Sequence, residues 1–292
     1  MRYGIYLPNY GPYGDAHVLA ALAHDAEQAG WDGFFLWDHI APEGPVNVVD
    51  PWVALTAVAL NTERIRIGTT VTPLPRRRPW KLARETVSLD RLSGGRLILG
   101  VGIGLGEGEW DDLGEEPDQA KRAEMLDEGL DILTGLWRAE PFSYEGKYYH
   151  IKQAHFLPGP LQQPRIPIWV GGFWPNKRPM RRAARWDGAF PLMPWTDEST
   201  PENMMLQFKD AVAYIQDQRA AQGIEGPLDI VHVGGTPPHI PGLAALDAND
   251  HADAGATWCL EMLYPYRWGW TGDGPWPVEA MHEWVLQGPP SS

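Results

Sequence analysis

The sequence predicts a single α/β domain folded as a (β/α)₈ (TIM) barrel. Three observations predict this class. Eight short apolar runs each precede a stretch with helical periodicity. The chain has 292 residues, close to the length of about 250 residues that is typical of one such barrel. The alternation breaks only at 138–166, where we expect a β-hairpin insertion. We therefore expect one domain over residues 1–292.

The first half of the chain alternates predicted strands with capped helices. Asp15 precedes the first helical stretch and Gly30 follows it, which are residue types that favour a helix N-cap and the position after a helix C-terminus. Asp50-Pro51 opens the second helix in the same way. The predicted strands are 3–7, 33–37, 65–71 and 96–101, and the predicted helices are 16–29, 51–60, 79–92 and 118–137.

The second half continues the alternation after the hairpin. Residues 142–149 combine alternating aromatic residues with Gly146 in a turn, which is typical of a β-hairpin. The predicted strands are 166–170, 188–191, 228–233 and 257–263, and the predicted helices are 175–185, 201–222, a short one ending near 255, and 277–286.

Composition excludes some classes of partner. The formal net charge is −14, which disfavours nucleic acid or an anionic membrane, since both select basic patches. No apolar run is long enough to span a membrane, and the chain enters a strand at once rather than a signal peptide. We expect a soluble cytoplasmic protein. Its single cysteine, Cys259, excludes an intramolecular disulfide. The fifteen tryptophans can line a cavity, plug the barrel or form a subunit interface.

Candidate site residues follow from the rule that a barrel's site lies at the C-terminal ends of its strands. His39 follows predicted strand two directly, behind Trp37 and Asp38, and an imidazole can exchange protons near neutral pH. Either Asp38 orients a catalytic imidazole or the pair only caps a surface loop. The nine histidines show no metal-ligand spacing, so we predict no metal site. The other candidates at strand ends are Asn9, Thr69, Thr70, Val71, Gly102 to Glu109, Gly171, Gly172, Gly188 to Phe190, Gly234, Gly235 and Glu261.

Several segments resemble the bacterial-luciferase superfamily of flavin- and deazaflavin-dependent oxidoreductases. The most specific is the run Leu89-Asp90-Arg91-Leu92-Ser93-Gly94-Gly95-Arg96 followed by Gly100-Val101-Gly102. The resemblance covers roughly residues 1–190 well and is weak beyond them. The other matching segments, in the family's order, are 29–39, 50–52, 66–73, 166–172 and 185–188.

This resemblance implies a barrel that binds FMN or coenzyme F-420 and that often forms a homodimer. It implies hydride transfer to or from a small organic substrate, with His39 beside the ring, Asp38 fixing its tautomer, and Glu109 as a nearby acidic group. It also implies a cis peptide bond at Thr70-Val71 that supports the ring. Gly171-Gly172, ahead of a basic helix, suits a phosphate. The implied cofactor-binding residues are Asn9, Trp37, Thr69, Thr70, Val71, Gly104, Gly171, Gly172 and Gly188.

The sequence leaves three questions open. Deazaflavin-dependent sugar-phosphate dehydrogenases carry a glutamate where this chain has Leu105, which argues against that substrate. Arg76-Arg77-Arg78 can hold an anionic substrate or the coenzyme's acidic tail, or can form a solvated loop. Two alternatives to hydride transfer are an FMN- and oxygen-dependent monooxygenase of the same superfamily and a non-catalytic barrel without cofactor. Loops rich in proline and aromatic residues suggest an apolar, aromatic-lined substrate pocket.

Overall fold

The structure, a computed structural model, describes residues 1–105, 108–194, 200–235 and 243–290. Gly106 and Glu107, which belong to the candidate segment Gly102 to Glu109, lie outside the described residues.

Eight parallel strands close into a barrel, which confirms the predicted fold class. Their order around the barrel is β1-β10-β9-β8-β7-β4-β3-β2. The strands β5 and β6 form a separate antiparallel pair, which confirms the predicted hairpin. The strand bounds are β1 Arg2–Leu7, β2 Gly33–Leu36, β3 Arg66–Pro73, β4 Leu97–Gly102, β5 Pro141–Glu145, β6 His150–His155, β7 Ile168–Phe173, β8 Gly188–Leu192, β9 Asp229–Gly234 and β10 Trp258–Met262.

Helices follow the barrel strands and cover their outer faces. Asp15, Asp50 and Asp118 each accept hydrogen bonds from backbone amides of the helix that follows, as expected of N-caps. The helix predicted from 175 begins at Lys177 because the side chain of Asn176 caps it. The helix bounds are α1 Ala16–Gln28, α2 Pro51–Asn61, α3 Pro79–Leu92, α4 Gly108–Asp111, α5 Gln119–Trp137, α6 Lys177–Ala183, α7 Pro201–Ala221, α8 Leu243–Asp253 and α9 Val278–Leu286.

The core has two layers. The larger lies between the strands and the helices, and the smaller fills the barrel. Phe35, Trp169 and Trp258 plug the barrel, with ring centroids 5.1 to 5.7 Å apart. These aromatic residues are on strands. Two of the fifteen tryptophans, Trp169 and Trp258, therefore help to plug the barrel, which is one of the roles considered from the sequence.

No helix in the described ranges is long and apolar enough to cross a membrane.

The parallel arrangement places the C-terminal ends of all eight barrel strands at one rim. At that rim β3 continues to Pro73 and its register against β4 shifts between Thr69 and Thr72. This bulge changes which β3 residues face the mouth of the barrel.

Candidate active site

A cavity of about 740 Å³ opens at the C-terminal rim. Its size suits a cofactor or a drug-sized ligand. The lining residues come from β1 to β4, β7 and β8 and from the segments that follow them. They are Tyr6, Trp37, Asp38, His39, Thr70, Val71, Pro73, Gly102, Ile103, Gly104, Leu105, Glu109, Gln119, Ala120, Ala123, Gly171, Gly172, Phe173, Asn176, Arg178, Pro179, Arg182, Phe190 and Leu192.

The β3 bulge forms one wall of this cavity. The Thr70-Val71 peptide bond is cis, as the resemblance implied. The side chain of Val71 lies over two glycines: a Cβ added to Gly102 would lie 2.8 Å from its Cγ2, and one added to Gly171 would lie 2.9 Å from its Cγ1. The absence of side chains at the two glycines leaves room for Val71. Val71, Gly102 and Gly171 together form an apolar surface, which we call the Val71 shelf.

His39 stands at the same mouth, with its side chain 30% exposed. Its Nδ1 lies 3.3 Å from Oε1 of Glu109. Because a carboxylate can only accept, this contact places the proton of a neutral imidazole on Nδ1 and leaves Nε2 as the basic nitrogen. Nε2 has no protein hydrogen bond to any described residue. The rings of Tyr10 and Trp37 pack against the imidazole, with centroids 5.6 and 5.7 Å away.

Glu109 is a buried carboxylate that is held from several sides. Oε1 accepts from the backbone amides of Ile40 and Ala41 at 2.7 and 2.9 Å, and Oε2 lies 3.1 Å from Nη1 of Arg76. Burial alone would raise the pKa of Glu109, but the hydrogen bonds from His39, Ala41 and Ile40 outweigh it and lower the pKa to about 2. Glu109 is therefore a fixed negative charge beside His39 at any pH at which the protein works.

The structure pairs Asp38 with Arg77 and not with His39, so the role of Asp38 towards the imidazole stays a prediction. The Asp38 carboxylate is buried and accepts a bidentate pair from Arg77, at 2.7 to 3.1 Å. The Asp38 carboxylate is therefore committed to Arg77 rather than to the imidazole. Glu109 takes the place beside the imidazole.

The same ion pairs decide the role of the Arg76-Arg77-Arg78 segment. Arg76 pairs with Glu109 and also donates to the backbone oxygen of Asp38 at 2.9 Å. Its side chain is 5% exposed and that of Arg77 is 19% exposed. Two of the three arginines are therefore structural, and Arg78 alone remains exposed.

Three predicted cofactor-binding residues are not among the cavity-lining residues. Asn9 is fully buried, and its side chain bonds the backbone of His39 on both sides, at 2.8 and 3.1 Å. Thr69 donates to the backbone oxygen of Gly100. Gly188 lies at the start of β8, against Trp169. The strand runs on to Leu192, so its C-terminal residues Phe190 and Leu192 reach the mouth instead.

The loop after β4 contributes Gly104, Leu105 and Glu109. Gly104 has a φ of +84°, and a side chain there would meet the buried Trp110 ring. Leu105 is 56% exposed at the edge of the cavity. The acidic group at this mouth is thus Glu109, from the short helix α4 that the sequence did not predict.

The opposite wall is more polar and includes residues that sequence reasoning missed. Gly171 and Gly172 end β7 as predicted, and Asn176, Arg178 and Arg182 follow them. Facing them, Ala120 and Ala123 of α5 form part of the wall. The basic run was visible in the sequence, but no sequence signal shows that two alanines of a distant helix complete this wall.

The lining residues fit a flat polar-edged cofactor. Trp37 Nε1 and Thr70 Oγ1 are buried polar atoms without a hydrogen-bond partner among the described residues. Such orphaned groups are uncommon in native proteins. Together with the Val71 shelf, they give the cavity an apolar floor with unused polar groups at its edge.

A second cluster of ionisable residues lies outside this cavity. His232 on β9 and His251 on α8 stack with centroids 3.4 Å apart, and both contact Asp247. These three residues have metal-ligand chemistry and converge within 4.8 Å. The Asp247 carboxylate and backbone oxygen already accept from the imidazoles, at 2.7 to 3.2 Å. The absence of a metal site stays a prediction.

The bulge, the Val71 shelf and the imidazole of His39 lie together at the mouth of the barrel, and comparison with known proteins assigns this chain to a family. Residues 1–226 match the family model described as luciferase-like monooxygenase. The chain therefore belongs to the luciferase-like monooxygenase family, which confirms the resemblance found in the sequence.

Two relatives show how far the similarity extends. The chain is 30% identical over 257 residues to an uncharacterized protein of Mycobacterium bovis, covering 82% of each chain. It is 37% identical over 155 residues to an F420-dependent glucose-6-phosphate dehydrogenase of Microbacterium testaceum. That match covers 51% of this chain and 45% of the dehydrogenase, so it spans less than half of the relative.

Solved structures share the fold at low sequence identity. An F420-dependent secondary alcohol dehydrogenase, in complex with an F420-acetone adduct, superposes with a TM-score of 0.71 at 16% identity, covering 89% of this chain and 92% of that one. The coenzyme F420-dependent tetrahydromethanopterin reductase of Methanopyrus kandleri gives 0.71 at 19% identity, with coverage of 99% and 98%. A type II Baeyer-Villiger monooxygenase of Pseudomonas putida, in complex with FMN, gives 0.64 at 22% identity, with coverage of 80% and 67%.

Proposed function

We propose that this protein is an oxidoreductase that transfers a hydride between coenzyme F-420 and a small alcohol or carbonyl compound. The observation that carries the proposal is the pairing of His39 with Glu109 beside the Val71 shelf, inside a cavity of about 740 Å³. When bound, the deazaflavin accepts or donates the hydride. The protein's own residues then have two tasks, which are to hold the ring and to move one proton.

The shelf and the imidazole divide these tasks. Val71, seated over Gly102 and Gly171, supports one face of a flat ring. His39 accepts the substrate hydroxyl proton at Nε2, because Nδ1 is committed to Glu109. The Glu109 carboxylate stabilises the imidazolium that results, and Asn9 fixes the backbone that carries the ring.

The relatives support deazaflavin chemistry, whereas Leu105 of this chain argues against a sugar-phosphate substrate. The glucose-6-phosphate dehydrogenase of Microbacterium testaceum and the secondary alcohol dehydrogenase are both described as F420-dependent. Leu105 stands where the sequence comparison expects a glutamate in the sugar-phosphate enzymes. With Ile103, Phe173 and Phe190 it makes part of the wall apolar, which favours a small, uncharged substrate.

The proposal is tested by titrating the protein with the cofactor and by comparing two variants, His39→Ala and His150→Ala. We expect coenzyme F-420 to bind with at least micromolar affinity, measured by fluorescence. His39→Ala should bind it within about threefold of wild type but lose turnover by about 100-fold or more, because a general base contributes about 10²- to 10⁴-fold. His150→Ala, on the exposed hairpin, removes an equivalent ring that pairs with Glu145 and serves as the matched control.

Two outcomes contradict the proposal. Oxygen uptake with reduced FMN, without F-420 binding, would instead indicate the monooxygenase alternative. Binding of neither FMN nor coenzyme F-420 would indicate a non-catalytic barrel.

A further inference from the structure

A basic groove runs on from the cavity along α5, along α6 with the start of the loop after it, and along the C-terminal end of α7. It encloses about 420 Å³. Ala120, Ala123, Arg178 and Arg182 line both the groove and the cavity, so the two spaces are adjoining. The remaining groove residues are Glu124, Asp127, Arg181, Arg185, Gln218 and Gln222.

The groove is positive in a chain with a net charge of −14. Four arginines line it against two acidic residues. Asp127 pairs with Arg182 and with Arg185, in each case at 2.7 Å. The Glu124 carboxylate is bound by Lys147 at 2.7 Å and by the Tyr148 hydroxyl at 2.6 Å.

Two arginines of the groove remain available to a ligand. Within the described ranges, neither Arg178 nor Arg181 has an acidic partner, and both are exposed. They lie three residues apart on α6, and residues at this spacing face the same side of a helix. Asp127 holds the neighbouring guanidinium of Arg182 in place, so that a bound anion meets a preformed positive surface.

The opposite wall of the groove carries small side chains where it adjoins the cavity. Ala120 and Ala123, one turn apart on α5, present only methyl groups where the cavity passes into the groove. Longer side chains at these positions would fill that passage. An extended polyanion can therefore leave the cavity between the two helices and pass in front of the arginines.

We infer that this groove binds the carboxylate-bearing tail of coenzyme F-420, an inference that rests on the proposed function. FMN ends at its phosphate, whereas coenzyme F-420 continues into an acidic chain of several carboxylates. Guanidinium groups pair with carboxylates in a planar, bidentate geometry. The groove thereby selects the deazaflavin coenzyme over FMN, a role that the buried Arg76 and Arg77 cannot fill.

Three forms of the deazaflavin, titrated against the full-length protein at low salt, test the inference. They are the riboside without phosphate or tail, the phosphorylated form without glutamates, and coenzyme F-420 with several glutamates. We expect the glutamate-bearing form to bind about tenfold more tightly than the glutamate-free phosphorylated form. Exposed ion pairs contribute about 0.2–1 kcal/mol each, or roughly 1.4- to 5-fold.

Arg181 is the position to vary because it lines the groove and not the cavity. Arg181→Ala should lower the advantage of the long-tailed form by about threefold, and Arg181→Glu should abolish it. Neither change should alter binding of the riboside. Arg138→Glu makes the same charge reversal at an exposed position at the other end of α5 and should leave the advantage intact.

The outcomes separate the inference from the function. If the riboside binds but tail length has no effect, or if Arg181→Glu keeps the advantage, the groove inference is wrong and the proposed function stands. An advantage only of the phosphorylated form over the riboside assigns the arginines to a phosphate and also overturns the inference. If no deazaflavin binds, the proposed function fails, and the inference fails with it.

Discussion

At the scale of single residues, the site depends on which carboxylate reaches His39. Asp38 is its neighbour in sequence but is neutralised by Arg77. Glu109 is seventy positions further along and reaches the imidazole because the backbone amides of Ile40 and Ala41 bind its Oε1. The same oxygen thus fixes both the loop after β2 and the tautomer of the ring.

Replacing Glu109 by glutamine tests this positioning role. Since the pKa of Glu109 is about 2, the wild-type group is ionised throughout the working pH range. Glu109→Gln removes the charge that stabilises an imidazolium, so we expect kcat to fall by about 10- to 100-fold. The acid limb of kcat/KM should move to lower pH, while the Kd for the cofactor changes little.

The pH profile of kcat/KM distinguishes a role of Glu109 in positioning His39 from an effect on the stability of the fold. Asp38→Asn, which breaks the pair with Arg77, is the matched comparison and should destabilise the fold without moving the acid limb. An unshifted acid limb in Glu109→Gln would show that the carboxylate does not act through His39.

At the scale of elements, the β3 bulge turns a strand end into a shelf. The register shift between Thr69 and Thr72 lets Val71 project over β4 and β7 at their glycines. Thr72 and Thr69 hydrogen-bond each other at 2.9 Å across the bulge. The shelf therefore depends on three strands, and a change on β4 can move it.

Gly102→Ala should displace the shelf without unfolding the barrel. Its Cβ would stand 2.8 Å from Cγ2 of Val71, which forces the valine to move. We expect cofactor affinity to fall by about tenfold, because small displacements in a preorganised site are costly. Gly235→Ala, where an added Cβ meets no atom of the described residues within 4 Å, is the control. Equal affinity of both variants and wild type would remove Val71 from the proposed site.

A second prediction at the scale of elements concerns the contact between α8 and β9. The side chain of His232 is 13% exposed. Its burial, with the neighbouring His251, lowers its pKa against the opposing effect of its hydrogen bond to Asp247. Asp247 itself has a lowered pKa because the bonds from both imidazoles outweigh its burial. His232 thus resists protonation in the folded state, whereas the unfolded imidazole titrates near pH 6.5.

The sign of the pH dependence follows from this difference. Below about pH 6.5 the unfolded chain binds a proton that folded His232 does not. The free energy of unfolding should therefore fall as the pH drops from about 7.5 to 5.5, and His232→Gln should reduce that slope in denaturant titrations. His282→Gln, at a more exposed histidine paired with Asp25, is the control. A slope unchanged by His232→Gln would contradict the assignment.

At the scale of the whole molecule, the outer face of α2 exposes large apolar side chains that a single copy of the chain does not bury. This helix contains no charged residue. Val53 and Leu60 are 61% and 68% exposed on it. An exposed apolar patch on a helix often marks an interaction surface. We propose that a second copy covers it, in keeping with the homodimer implied by the resemblance.

Leu60→Glu should shift this dimer towards monomer by placing a charge in the interface. Analytical ultracentrifugation at micromolar concentrations is the measurement. Leu206→Glu, at a leucine of α7 that is 58% exposed, makes the same change elsewhere and should leave the dimer intact. A monomeric wild-type protein, or equal dissociation by both variants, would contradict the proposal.

Much of the molecule was predictable because it depends on local signals. The alternation of apolar runs with capped helices predicted the barrel, and all eight barrel strands occur where the sequence placed them, with ends that differ by at most three residues. The rule for strand ends then placed Trp37, His39, Val71 and Gly171 at the mouth, where the structure has them.

Other features required the tertiary structure, for physical reasons. Parallel strands meet only on closure of the barrel, so sequence distance does not reveal that Glu109 rather than Asp38 contacts His39. Gly188 begins β8, as in the predicted strand 188–191, and the residues of this strand that line the cavity are Phe190 and Leu192, nearer its C-terminal end. The sequence by itself determined the barrel, its family and the imidazole at its mouth. Only the folded chain decided which carboxylate holds that imidazole and which arginines stay free, because both depend on pairings between residues distant in sequence.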